Sequence, residues 1–155
     1  MRDLTEIRWH ARAGQGAKTA SQVLALALLR SGKSVQSFPE YGPERRGAPL
    51  RAYTRFGADP VRRHDSIEHP SLVVVLDETL LDEPAVSEGT TEQTPVLVSR
   101  SKDRMANVEM LGSVAAALGR PALGMLQDAA AEILGSKIPA AELREAVARG
   151  YRCRS

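Results

Sequence analysis

Two adjacent guanidinium groups, Arg45 and Arg46, stand in the segment SFPEYGPERRGAPLRAYTRF at residues 37–56. An arginine fork meets a carboxylate or a phosphate through two parallel hydrogen bonds, and Pro39, Gly42, Pro43, Gly47 and Pro49 restrict where such a loop can go. The segment reads as a turn-rich loop that holds an anion or a partner's acidic surface, or else as a solvated basic loop. A second candidate is the turn ARAGQG at residues 11–16. Backbone amides at the start of a helix, exposed by small residues, suit an anion, so Gly14, Gln15 and Gly16 are candidates for a phosphate, a carboxylate or a neighbouring chain's carbonyl. A plain tight turn is the other reading of the same residues.

Sharper chemistries fail at mechanical points. A dinucleotide fingerprint needs three glycines, whereas Ala11 and Ala13 occupy positions where glycine is wanted and no acid ends the second predicted strand. Gly16, Ala17, Lys18 and Thr19 imitate the end of GxxxxGK[ST], and VVVLDE at residues 73–78 imitates an apolar strand whose acid holds magnesium. Ala11 and Ala17 replace the glycines that let amides wrap a phosphate. A phosphate-loop-like nucleotide-hydrolysing ATPase therefore stays as the alternative, beside a free-standing anion-binding module. No Ser, His and Asp set stands out, and Asp77 and Glu78 point to opposite sides if the strand continues. The isolated chain is expected to be inactive, with no catalytic residue and no metal site of its own.

At 155 residues, with 43% hydrophobic and 26% charged residues, the chain has the makeup of one globular domain. A net charge of +2 does not argue for nucleic-acid binding, although Arg45, Arg46, Arg51, Arg55, Arg62 and Arg63 concentrate positive charge locally. The lone Cys153 cannot close an internal disulfide or ligate an iron-sulfur cluster, and His10, His64 and His69 lack zinc-site spacing. No apolar run is long enough for a membrane span or has the form of a signal peptide, so the expectation is a cytoplasmic protein without membrane contact.

These groups need elements to place them. Residues 5–10 read as a strand, 11–16 as a glycine turn, and 17–30 as a helix apolar nearly all round and well buried, stopped by Gly32 and Lys33. Strands are expected at 35–38, 50–56, 72–76 and 95–99, with 61–63 as a hairpin partner after the turn at 58–60. The five apolar residues at 72–76 suggest a central strand covered on both faces. Helices are expected at 107–118, 122–134 and 140–149, the last stopping at Gly150 with a frayed tail at 151–155. The pattern predicts a single three-layer α/β/α domain over 1–155, with a mixed, largely parallel sheet and a helical C-terminal part.

Three motifs carry a resemblance. Gly14, Gln15 and Gly16 match the end of GxGGQG. Phe38, Pro39, Tyr41, Gly42, Glu44, Arg45, Arg46, Gly47, Ala48 and Pro49 match a loop of the form FP-(Y/F)-GxERRGAP, and Asn107, Met110, Leu111 and Gly112 match NxxMLG. On these the chain resembles the gamma subunit of the 2-oxoacid:ferredoxin oxidoreductases. The resemblance implies a non-catalytic subunit of a complex that decarboxylates a 2-oxoacid on thiamine diphosphate and passes electrons through iron-sulfur clusters to ferredoxin or another acceptor, usually releasing an acyl-coenzyme A. Thiamine diphosphate, magnesium and iron-sulfur clusters then belong to partner chains of alpha, beta and delta type. Gly14, Gln15, Gly16, Arg45 and Arg46 become candidates for coenzyme A or for a subunit interface. The chain departs from the family pattern at Ala11 and Ala13, and at residues 100–106, where only RSKDRMA stands in place of a longer insert.

Overall fold

A computed structural model describes residues 4–40 and 47–154. Along the chain lie β1 (Thr5–Arg12), α1 (Ala17–Arg30), β2 (Ser34–Pro39), β3 (Pro49–Gly57), β4 (Leu72–Val75), a 3-10 turn (Glu78–Leu80), α2 (Pro84–Ser87), β5 (Val96–Val98), α3 (Ala106–Leu118), α4 (Leu123–Leu134) and α5 (Ala140–Arg154). The sheet order is β2-β3-β1-β4-β5. β3 is antiparallel to both neighbours while β1, β4 and β5 are mutually parallel, so four of the five strands run one way. The sheet is thus mixed and largely parallel in strand direction, as expected.

Alternation along the strands sorts side chains onto two unlike faces. Ile7, Trp9 and Ala11 of β1, Ala52 and Phe56 of β3, and Leu72 and Val74 of β4 join the core built with α1, α3, α4 and α5. The opposite face carries Val73 and Val75, closed over by Leu80 and Val86. The third layer of the expected α/β/α arrangement is therefore two short helical turns and loop rather than a layer of long helices.

That second face also buries Arg8, His10, Tyr53 and Arg55. Arg8 donates to the carbonyls of Ile67, Val86 and Glu88, and its Nε to His10 Nε2 at 3.0 Å. Arg55 is fully buried yet reaches Glu6 at 2.7 Å and Gln36 at 2.9 Å. Such partners offset the cost of burying a guanidinium. Arg8 lies below its ordinary pKa, through burial first and the nearby Arg51 second. His10 is pushed down to about 3 by burial and then by Arg8, which keeps its imidazole neutral.

Two expectations are corrected. Residues 61–63 form no strand; the Val61 amide instead donates to the Ser34 hydroxyl at 3.1 Å, and exposed Arg62 and Arg63 have no apolar face to pair. The last helix does not stop at Gly150, and residues 151–154 are no frayed tail, because α5 continues to Arg154. Gly150 is there for packing: a Cβ on it would run into the Glu109 carbonyl, and one on Gly112 into the Val147 carbonyl. The α3 and α5 backbones touch through these two glycines, and the Ser113 hydroxyl donates to the Gly150 carbonyl at 3.0 Å. α1 is less enclosed than its composition suggests, since Leu29 is 59% exposed.

Candidate functional site

β1 ends at Arg12, and the turn to α1 is made by two glycines in the left-handed region, Gly14 at φ 94° and Gly16 at φ 80°. Gly14 needs glycine for its backbone alone, as nothing lies within 4 Å of where a Cβ would stand. Gly16 needs it twice, because a Cβ there would also strike the Asn107 carboxamide. Asn107 Nδ2 donates to the Gly16 carbonyl at 3.3 Å across 91 residues of chain. The first and third motifs thus meet in one contact.

The second motif meets the first from the other side. Ala13 N–H donates to the Ala48 carbonyl at 2.8 Å, and an Arg12 guanidinium N–H donates to the Gly47 carbonyl at 3.1 Å. At the other stem, Glu40 accepts from Arg51 at 2.9 Å and from the Tyr53 hydroxyl at 2.7 Å. Burial, then this bond to Glu40, pushes the Tyr53 hydroxyl up to about 12. Arg45 and Arg46 lie outside the described residues, as do Tyr41, Gly42 and Glu44.

The Gln15 side chain is held at both ends of its amide. Its side-chain carbonyl accepts from the Arg12 amide at 2.7 Å, and its NH2 donates to Asp77 Oδ2 at 2.8 Å. Asp77 also accepts from the Thr79 hydroxyl at 2.6 Å and amide at 3.0 Å, and Arg12 stands 3.5 Å away. The Thr79 hydroxyl and amide, followed by Gln15 and Arg12, hold the Asp77 carboxyl down at about 2. Asp77 thus caps the 3-10 turn and braces β1, and Lys18 is exposed on α1. Neither residue stands as a phosphate loop would require.

A cleft of about 310 Å³ opens beside this turn, lined by Gly14, Gln15, Asp77, Lys102, Arg104 and Asn107 among others. It lies at the C-terminal ends of parallel β1 and β4, whose onward connections leave toward opposite edges of the sheet. Open α/β sheets bind ligands in that crevice. The N-termini of α1 and α3 both start here, and neither carries a side-chain cap. The positive ends of two helix dipoles favour an anion, although at α3 the Met105 and Ala106 amides are already taken by Asp103. Residue types flagged the glycine turn; Arg12, Lys102 and Arg104 went unsuspected, though all three stand in or beside segments that the motifs mark.

Comparison with known proteins matches residues 6–103 to the model for pyruvate ferredoxin/flavodoxin oxidoreductase. The chain belongs to this family, as a gamma-type member. It is 58% identical over 98 residues to the pyruvate synthase subunit PorC of Thermotoga maritima, a match covering 63% of this chain and 50% of that one. The crystal structure of the Thermotoga maritima pyruvate oxidoreductase subunit PORC superposes with a TM-score of 0.80 at 36% identity, over 98% of this chain and 97% of the other. The gamma subunit common to pyruvate and ketoisovalerate oxidoreductases of Thermococcus litoralis is 43% identical over 149 residues, covering 94% of this chain and 77% of its own. In sequence the chain thus spans half the length of the first relative and about three quarters of the second. A 2-oxoglutarate:ferredoxin oxidoreductase of Magnetococcus marinus shares the fold, with a TM-score of 0.74 at 17% identity over 99% of this chain and 31% of that one. That structure holds 2-oxoglutarate, coenzyme A and succinyl-CoA.

Proposed function

We propose that this chain serves as the gamma subunit of a multi-subunit 2-oxoacid:acceptor oxidoreductase, shaping the assembly and contributing to coenzyme A binding, without catalytic residues of its own. The observation that carries the reading is the convergence of three family motifs, far apart in sequence, on the turn at residues 12–16 through Asn107–Gly16, Ala13–Ala48 and Arg12–Gly47. Thiamine diphosphate, magnesium and iron-sulfur clusters belong in this proposal to partner subunits of alpha, beta and delta type, and electrons leave through them to ferredoxin or another acceptor. Coenzyme A would supply the thiol that accepts the acyl group. Its phosphates suit a crevice where two uncapped helix N-termini converge, and Arg45 and Arg46 are further candidate donors. The same arginines would serve equally to pair with acidic residues across a subunit interface. The setting is cytoplasmic in this reading; among the described residues no helix is long and apolar enough to cross a membrane.

Native mass spectrometry of the tagged chain recovered from its own host tests the proposal. Larger chains carrying thiamine diphosphate and iron-sulfur clusters are expected to copurify. Recovery of the chain alone, or bound only to a nucleotide, overturns it. Within the recovered complex, Arg45→Ala with Arg46→Ala is expected to weaken coenzyme A binding, and unchanged affinity removes those two residues from the ligand role.

A further inference from the structure

The two edges of the sheet are guarded unequally. β5 is three residues long and leads through Ser99 to Arg100, whereas β2 is six residues long and pairs with β3 without a bulge from Ser34 opposite Gly57 to Pro39 opposite Ala52. Natural edges are blunted by charge, proline, bulges or brevity. From Ser34 to Phe38 β2 has none of these. The groups it leaves open follow from the ladder. The Glu40 amide donates to the Arg51 carbonyl at 2.9 Å, so bonded pairs recur at every second residue, at Phe38, Gln36 and Ser34. Val35 and Ser37 therefore turn their amides and carbonyls away from the sheet, and among the described residues no other hydrogen bond engages them. The Val61 amide, which comes to this margin, donates only to the Ser34 hydroxyl.

The flanks set the chemistry of a strand added here. α1 lies alongside, with the Ser21 hydroxyl 2.5 Å from that of Ser37. Beside Ser21 on the helix run Lys18, Gln22, Ala25 and Leu29, a ridge that stays outside the core, with Leu29 its most exposed apolar member. Lys18 stands toward the Ser37 end of the strand, and Arg62, next to Val61, toward the Ser34 end. Both are exposed, and neither side chain has an ion pair or hydrogen bond among the described residues. The nearby carboxylates are committed: Glu40 to Arg51 and Tyr53, and Asp65 to Arg63 and Arg55. The free charges that bracket the edge are therefore cationic, with apolar surface between them.

We infer that the β2 edge is a docking strand for an extended, acidic segment of a partner subunit, which adds as a sixth strand bonded to the main chain of Val35 and Ser37. The inference rests on the subunit reading given above and says where one partner is held. Main-chain bonds supply the hold, and every second side chain of the incoming strand faces α1, where an apolar residue covers Ala25 and Leu29 and carboxylates at the two ends meet Lys18 and Arg62. A second copy of this chain fits less well, because it brings a second set of the same cations to the shared edge.

Hydrogen–deuterium exchange over residues 33–39 tests the inference, comparing the free chain with the complex recovered from its host. Two further amides are expected to slow in the complex by about tenfold or more. Carbodiimide, which joins a lysine directly to a carboxylate, is expected to link Lys18 to an aspartate or glutamate of a larger chain. Ser37→Pro removes an outward amide along with the hydroxyl, and proline is accepted on a strand edge; Ser37→Ala removes the hydroxyl alone. Relative to the alanine variant, the proline variant is expected to bind the partner about tenfold more weakly and to lose most of the crosslink. Exchange in the complex equal to that of the free chain, no Lys18 crosslink to a carboxylate, or equal behaviour of the two variants overturns the edge and leaves the subunit reading standing. Protection that appears in the isolated chain and rises with its concentration assigns the edge to a second copy and also overturns the inference. Recovery of no larger chain overturns the subunit reading and this inference with it.

Discussion

The two ends of the sheet use the same device for opposite purposes. At the crevice end, glycines at φ 94° and 80° launch α1, whose N-terminus and that of α3 face the opening. At the other end, Gly32 at φ 93° and Gly119 at φ 73° close the C-termini of α1 and α3, each followed at once by a cation, Lys33 or Arg120. Those cations sit where helix dipoles are negative, and they have a structural task there. At the crevice the dipoles are positive and cations stand beside them as well, Lys102 and Arg104 each 3.9 Å from a carboxylate, Glu78 and Glu142. A cavity of about 360 Å³ beside Lys33 and Arg120 therefore reads as the ordinary end of the domain.

Substitutions can break or sharpen this contrast. The largest effect is expected from Gly16→Ala, which meets both the backbone penalty and the Asn107 carboxamide. A loss of about 3 kcal/mol is expected in chemical denaturation, against about 1 kcal/mol for Gly119→Ala, where a Cβ finds open space. Equal losses would mean that the crevice turn is no more constrained than a helix cap.

Between the two ends, His10 makes stability depend on pH. Its folded pKa of about 3 lies below the unfolded 6.5, so the unfolded chain gains a proton first as pH falls. Stability is unaffected above 6.5 and drops by up to about 1.4 kcal/mol per pH unit between 6.5 and 3. His10→Gln, which keeps an acceptor for Arg8, should flatten that slope in denaturant titrations across this range. Asp77 acts lower down and more weakly. Its folded pKa of about 2 lies below the unfolded 3.8, so its contribution is full above 3.8 and is lost as pH falls toward 2. Asp77→Asn is expected to cost about 1 kcal/mol at neutral pH and nothing below about pH 2, after allowance for screening by water.

The smallest effect concerns the end cations. Lys33→Gln and Arg120→Gln should each lower stability by about 0.5 kcal/mol, whereas Lys102→Gln and Arg104→Gln should leave it unchanged or raise it, as read from thermal melts. A stability loss at the crevice matching that at the far end would make all four cations merely structural.

Sequence patterns carried the apolar skeleton well. α1 and the central β4 follow from local periodicity and β-branched runs, and so does the glycine turn between β1 and α1. Arg8 and Arg55 were illegible, because a charge in a strand reads as exposed until Glu6 and the carbonyls of Ile67, Val86 and Glu88 are known. Gly150 misled for a similar reason: a glycine near a helix end signals a stop, but its cause here is the Glu109 carbonyl on another helix. At the candidate site, Gly14 and Gly16 were visible through their backbone demand. Gln15 was visible as a residue, but the hold its side chain takes on Asp77 was not, since Asp77 stands 62 residues further along the chain.

The contact between α3 and α5 also sets an order of events. Gly16 leaves the ribosome early, yet its carbonyl is met by Asn107, and the helix bearing Asn107 is itself seated by Gly150 through the Glu109 carbonyl. Long-range closures of this kind come late and slowly in folding. The first turn of the chain thus depends at one contact on its last helix, and a nascent polypeptide halted before α5 would hold that turn through Ala48, Gly47 and Asp77 with the Asn107 helix unseated.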